Sequence, residues 1–137
     1  MKKNKILIVD DEENLVEMLA ARLSHAGYNV ETAFNGREGL GATINALHNN
    51  DPFSLILLDI MLPDINGIGI VEIIREEEKL RGINQDKNVL IVMLTAYDKP
   101  WMEPSEILGS DDYILKPFNE EELLKLIESK LSAREKP

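Results

Sequence analysis

The chain has 137 residues, 44% of them hydrophobic, enough for one domain with a real core and too few for a second. Fifteen Lys and Arg against 25 Asp and Glu leave a formal charge of −10, which opposes direct binding to nucleic acid and to anionic membrane surfaces. There is no cysteine, which excludes disulfides, thiolate zinc sites and cysteine nucleophiles; the apolar run after Lys5 is too short for a signal peptide or a membrane span, so a cytoplasmic protein is expected.

Residues 6–9 form a short apolar run, and after the acids at 10–13 Val16, Leu19, Ala20 and Leu23 recur at helical spacing until Gly27 stops them. Residues 28–33 read as a second strand, and Asn35 can cap a helix running to about Leu47 before the turn material "HNNDP". In "SLILLDIMLPDING" four consecutive apolar residues end on one carboxylate, Asp59, the pattern of a strand buried on both faces. A third helical pattern covers 68–80, with "GINQDK" as its exit, and 89–94 and 113–115 supply two further strands. Asn119 followed by Glu122 resembles a capping box, opening a helix whose buried face carries Leu123, Leu124, Ile127 and Leu131. Strands alternating with helices, without a hairpin signal, predict an α/β fold: a doubly wound, five-stranded parallel sheet in a three-layer sandwich.

In such a sheet the C-terminal ends of the strands share one edge, where α/β proteins place their ligands. Asp10 and Asp11 follow strand one, Asp59 ends strand three, Thr95 ends strand four and Lys116 follows strand five. Three carboxylates gathered there repel one another unless a cation relieves them, and hard oxygen donors without Cys or His favour Mg²⁺. With a metal and a lysine beside it, Asp59 is a nucleophile suited to phosphorus, forming an acyl phosphate. Lys116, the Thr95 hydroxyl and nearby backbone N–H groups would take the phosphoryl oxygens that the metal does not.

Each residue taken singly also has a plainer reading. Asp10 or Asp11 could be the N-cap of the first helix, Asp59 a turn residue, Thr95 a cap and Lys116 one more solvated lysine. The joint reading prevails because all five fall after strands of one sheet. Tyr113 reads as a half-buried packing aromatic, His25 and His48 as surface residues, and the "EEE" runs at 76–78 and 120–122 as solvated helix faces. Trp101, between Pro100 and Pro104, is a candidate contact residue.

"ILIVDDEE", "LILLDIMLPDINGI", "VMLTA" and "DDYILKPF", in that order, closely resemble the motifs of the receiver domain of two-component response regulators. The resemblance covers nearly the whole chain, taken as one receiver domain over 1–137 with a core at about 5–131. It implies a flavodoxin-like sandwich and a phosphoacceptor signalling switch in which Asp59 accepts a phosphoryl group from the phosphohistidine of a sensor histidine kinase or phosphotransfer protein. It implies further that Asp10, Asp11 and Asp59 hold Mg²⁺, that Thr95 and Tyr113 form a switch pair and that Lys116 contacts the phosphoryl group. Lys116–Pro117 is then a cis peptide, Met61 and Tyr97 tune the lifetime of the phosphorylated state, and the output is an altered surface for an unknown protein or domain. Such a domain is no enzyme beyond its own phosphoryl transfer and autodephosphorylation. Three spans depart from the family's pattern: 36–59 and "RGINQDKN" are longer, and the proline-containing stretch from Thr95 to Lys116 is shorter, predicting a short or irregular fourth helix.

Two rival functions fit the sequence less well. An aspartyl-phosphate phosphohydrolase would call for a second Asp two residues after the nucleophile, where this chain has Met61. A flavodoxin-like flavin or nucleotide binder needs a phosphate-cradling loop after strand one, and "DDEEN" there repels a bare phosphate.

Overall fold

Why the chain folds as a parallel sandwich is visible in the strands themselves. In the computed structural model, which describes residues 3–96 and 109–135, β3 (Leu55–Asp59) and β4 (Leu90–Thr95) are buried at every position. Strands covered on both faces have no polar side to show, so they become central. β1 (Lys5–Val9) joins them, β2 (Asn29–Ala33) and β5 (Asp112–Leu115) form the edges, and all pairings are parallel in the order β2-β1-β3-β4-β5.

Helices cover both faces. Ile56, Leu58, Ile91 and Met93 point to one side, where Ala46 of α2 (Gly36–His48) and Ile70, Val71 and Ile74 of α3 (Gly67–Leu80) meet them. Leu55, Leu57, Val92 and Leu94 point to the other, against Val16, Leu19 and Leu23 of α1 (Glu13–His25) and Leu123, Ile127 and Leu131 of α4 (Glu120–Glu135). Leu124, expected on the buried face of α4, is only partly buried.

Local signals set most element ends. Gly27 adopts φ +103° just past α1. Asn35 Oδ1 accepts the Glu38 N–H at 2.9 Å, and Asn119 Oδ1 accepts those of Glu121 and Glu122 at 2.8 and 3.3 Å. The two long spans resolve into a turn at Asn49 and Asn50 after α2, and a single 3₁₀ turn at Gln85–Lys87 after α3. The prolines 100 and 104, Tyr97, Trp101 and the expected irregular helix lie outside the described residues.

One of the plainer readings falls away and one expectation needs correction. The N-cap of α1 is Glu12, not Asp10 or Asp11; Asp10 instead accepts the Glu12 N–H on Oδ1 at 3.0 Å. Glu78 is not on a solvated face but 2% exposed. Its Oε1 accepts from Arg75 Nη1 at 2.6 Å and its Oε2 from the Val89 N–H at 2.8 Å, the backbone group just before β4. Arg75 continues the network to Asp111 Oδ2 at 3.0 Å and to the Gly109 carbonyl at 2.8 Å, so the buried carboxylate joins α3 to the starts of two strands.

Candidate functional site

The strand register brings the chemically active side chains to one edge. Val9 pairs with Leu58 and Asp59 with Leu94, so Asp10, Asp59 and Thr95 end three adjacent strands at nearly the same height. The backbone is closed across this edge by Asp10 N–H to Ala33 O (3.1 Å), Ile60 N–H to Leu94 O (3.2 Å) and Lys116 N–H to Thr95 O (2.7 Å). The Lys116–Pro117 peptide is cis, as the resemblance implies.

Asp10, Asp59 and Thr95 are buried and Asp11 is exposed. Asp10, Asp11 and Asp59 each offer a carboxylate oxygen within 4.8 Å of the others. Lys116 Nζ sits among them, 2.6 Å from Asp10 Oδ2, 3.2 Å from Glu12 Oε1 and 3.6 Å from Asp59 Oδ2. One cation therefore stands in a cluster of four carboxylates, three of them within 3.6 Å of it. An all-oxygen donor set with this excess of negative charge fits a hard divalent ion.

Electrostatics follow from that crowding. Burial first, then the charge of Asp10 and more weakly Asp11, push the Asp59 carboxyl above the ordinary carboxylate range against the opposing pull of Lys116 and the Met61 N–H. For Lys116, burial works to lower the ammonium, but its bond to Asp10 and the charges of Asp59 and Asp10, with Glu12 adding, raise it above the ordinary lysine value. Asp59 is oriented at both oxygens: Oδ1 accepts the Met61 N–H at 3.2 Å and Oδ2 faces Lys116.

Tyr113 stands back from this cluster. It pairs with Met93, Thr95 pairs with Leu115, and residues two apart share a face, so Thr95 and Tyr113 lie diagonally on the α3 side of neighbouring strands. Tyr113 is partly solvent-accessible, at 38%. His25 and His48 are exposed, as expected.

Three contributors escape a linear reading. Glu12 reaches Lys116 from the α1 N-cap, with only its place in an acidic run as a signal. Gly67 lets α3 begin against the end of β3, since a Cβ there would lie 2.4 Å from the Asp59 carbonyl oxygen; the glycine of "DING" is its signal. Asp64 accepts the N–H groups of Gly36 and Arg37 at 2.7 and 2.9 Å, across the sequence from β3's exit loop to α2, and nothing near it in sequence announces this.

A five-stranded parallel sheet with an acidic triad and a lysine at its C-terminal edge defines a class of phosphate-handling α/β domains. Within it, the chain belongs to the response regulator receiver domain family, whose sequence model matches residues 6–128. Response regulator ArlR of Staphylococcus aureus is 39% identical over 124 residues, covering 90% of this chain and 50% of the relative. The chain thus spans about half the length of the curated relatives it matches. Among solved structures, a CheY-like receiver domain protein from Methanospirillum hungatei shares 34% identity with a TM-score of 0.78, over 98% of both chains. TrrA of Thermotoga maritima, solved in complex with Mg²⁺ and beryllofluoride, shares 34% identity with a TM-score of 0.71, over 93% of this chain and 98% of that one. The chain is accordingly a receiver domain of a two-component response regulator, a phosphoacceptor switch. Among the described residues, no helix is long and apolar enough to cross a membrane.

Proposed function

We propose that Asp59 is the phosphoacceptor, taking a phosphoryl group from the phosphohistidine of a sensor histidine kinase or phosphotransfer protein in the cytoplasm. The observation that carries this is the Asp59 carboxylate itself: buried, held by Met61 N–H on one oxygen, facing Lys116 on the other and flanked by two further carboxylates. An Asp59 oxygen attacks phosphorus, the phosphorus–nitrogen bond to the imidazole breaks, and its electron pair leaves with the histidine. Mg²⁺ held by Asp10, Asp11 and Asp59 would neutralise charge on the transferring group.

Lys116 supplies the fixed positive charge for a phosphoryl oxygen, and the Thr95 hydroxyl ends the strand where it can donate to another. Tyr113, on the same face as Thr95, is the second member of the switch pair through which phosphorylation alters a protein-binding surface. The reading treats 1–137 as a single receiver domain with its core at about 5–131, catalytic only in its own phosphoryl transfer and autodephosphorylation.

Incubation with phosphoramidate and Mg²⁺ should add one phosphoryl group by mass, labile to hydroxylamine and absent in Asp59→Asn. Undiminished labelling of that variant overturns the assignment.

A further inference from the structure

The loop that leaves Asp59 is tied down at a point the phosphoryl chemistry does not touch. Asp64 Oδ1 accepts the Gly36 N–H at 2.7 Å and Oδ2 the Arg37 N–H at 2.9 Å. These are the first two amides of α2, which have no partner inside the helix, and a carboxylate there also meets the positive end of the helix dipole. Yet α2 has its own cap, since Asn35 satisfies the Glu38 N–H at 2.9 Å. The Asp64 bonds therefore do more than start the helix: they join two parts of the chain.

What they join to is rigid. At Gly39 a Cβ would lie 2.7 Å from the Val9 methyls, so α2 rests directly on the strand that carries Asp10. Gly36 allows a second, slightly looser close approach, for its Cβ would lie 3.0 Å from Asp64 Oδ1 and from Ile65 Cβ. At its other end the loop is closed by the Gly67 N–H bonding Ile60 O at 2.8 Å. Between these two fastenings lies Met61, whose N–H holds Asp59 Oδ1 at 3.2 Å.

We propose that Asp64 is a positioning residue for phosphoryl transfer: by clamping the loop after β3 onto the start of α2, it keeps the Met61 main chain against Asp59 and so fixes the orientation of that carboxylate. The inference rests on the reading of Asp59 as phosphoacceptor. Ile65, packed against the core beside Asp64, keeps the loop attached when the clamp is cut, so the consequence is local misalignment rather than unfolding.

Two variants separate positioning from helix stability. Asp64→Ala and Asn35→Ala each remove one cap from α2, but only the first releases the loop. Asp64→Ala should lower the rate of labelling by phosphoramidate and Mg²⁺ about tenfold, as loss of an outer support typically does. It should also shift the Met61 amide resonance in metal-free protein. Asn35→Ala should leave both at wild type despite its lower melting temperature, and Asp64→Asn, which keeps one acceptor oxygen, should recover part of the rate. Equal rates for Asp64→Ala and Asn35→Ala with an unmoved Met61 amide would overturn the positioning role. A wild type that takes no label overturns the phosphoacceptor reading, whereas a labelled wild type with Asp64→Ala at the same rate removes only Asp64.

Discussion

Lys116 Nζ lies 2.6 Å from Asp10 Oδ2 but 3.6 Å from Asp59 Oδ2, so the lysine is bonded to a fully buried carboxylate and only faces the proposed phosphoacceptor. Lys116→Met should abolish most labelling and also destabilise the fold, because it leaves Asp10 buried without its cation. Stranding one member of a buried pair typically costs about 3–5 kcal/mol. Mg²⁺ should stabilise the variant more than the wild type, since it restores a cation to four carboxylates. Urea melts with and without Mg²⁺ measure both effects, and a variant as stable as wild type in EDTA would show that Lys116 does not support Asp10.

Asp59 should cost stability at neutral pH. Its carboxyl is raised chiefly by burial and the Asp10 charge, so between the ordinary carboxylate value of about 3.9 and its own higher one the folded state keeps a proton the unfolded chain has lost. Stability from this group therefore falls as pH rises through that window and stays lower above it. In EDTA at pH 7, Asp59→Asn should melt above wild type, and the gap should close near pH 3. Mg²⁺ at ten times its Kd would add about 1.4 kcal/mol to the wild type. Asn at this position, having lost a ligand charge, should gain less; a wild type already the more stable in EDTA would refute the electrostatic account.

Asp64 titrates in the opposite sense. Burial works to raise it, but the N–H groups of Gly36, Arg37, Ile65 and Asp64 itself outweigh that and hold it below the ordinary carboxylate range. The contribution is present above the unfolded carboxyl's pKa and lost as pH falls through the folded one. The wild-type advantage over Asp64→Ala in thermal melts should thus be full at pH 6 and shrink as the solution is acidified below pH 4. A gap that does not change with pH would mean the side chain acts by shape and not by charge.

How much of this could be read from residues alone depends on the range of the interaction. The central strands announce themselves because full burial requires unbroken apolar runs, and a parallel sheet then sends Asp10, Asp59, Thr95 and Lys116 to one edge whatever their separation in sequence. Asn35 bonding Glu38 is equally local, three residues apart and governed by helix geometry. The burial of Glu78 is not legible because "EEE" at 76–78 gives no sign which carboxylate turns inward; its partner Val89 lies beyond a turn and a 3₁₀ helix. The same holds for Asp64 and Gly36, whose contact exists only once two loops meet over the sheet.

The buried network beneath the sheet offers an unequal pair of truncations. Arg75→Ala leaves Glu78, 2% exposed, as an uncompensated buried charge, and should cost about 3–5 kcal/mol. Glu78→Gln keeps an acceptor for the Val89 N–H and removes the charge, and should cost about 1–2 kcal/mol. The double variant should be less damaging than the sum, because the residues share one interaction. Denaturant titrations of the three proteins check the ranking, and strict additivity would mean that the 2.6 Å ion pair carries no coupling.

Gly67 makes the sharpest steric demand near the site. A Cβ there would lie 2.4 Å from the Asp59 carbonyl oxygen and 2.9 Å from Ile60 Cα, and these are backbone atoms that cannot rotate aside. Gly67→Ala must therefore push α3 off the end of β3, at about 1–3 kcal/mol for overpacking. The displaced atoms include the residue that bears the proposed phosphoacceptor, and a shift of even a fraction of an ångström should lower the phosphoramidate labelling rate by about 10- to 100-fold. Gly69 is the control in the same helix: its Cβ would meet nothing closer than Ile65 Cγ2 at 4.0 Å. Removing a helical glycine there relieves backbone entropy, so Gly69→Ala should gain about 0.5–1 kcal/mol and label at the wild-type rate. If Gly67→Ala matches Gly69→Ala in both stability and labelling, the close approach of α3 to Asp59 is not what seats the carboxylate.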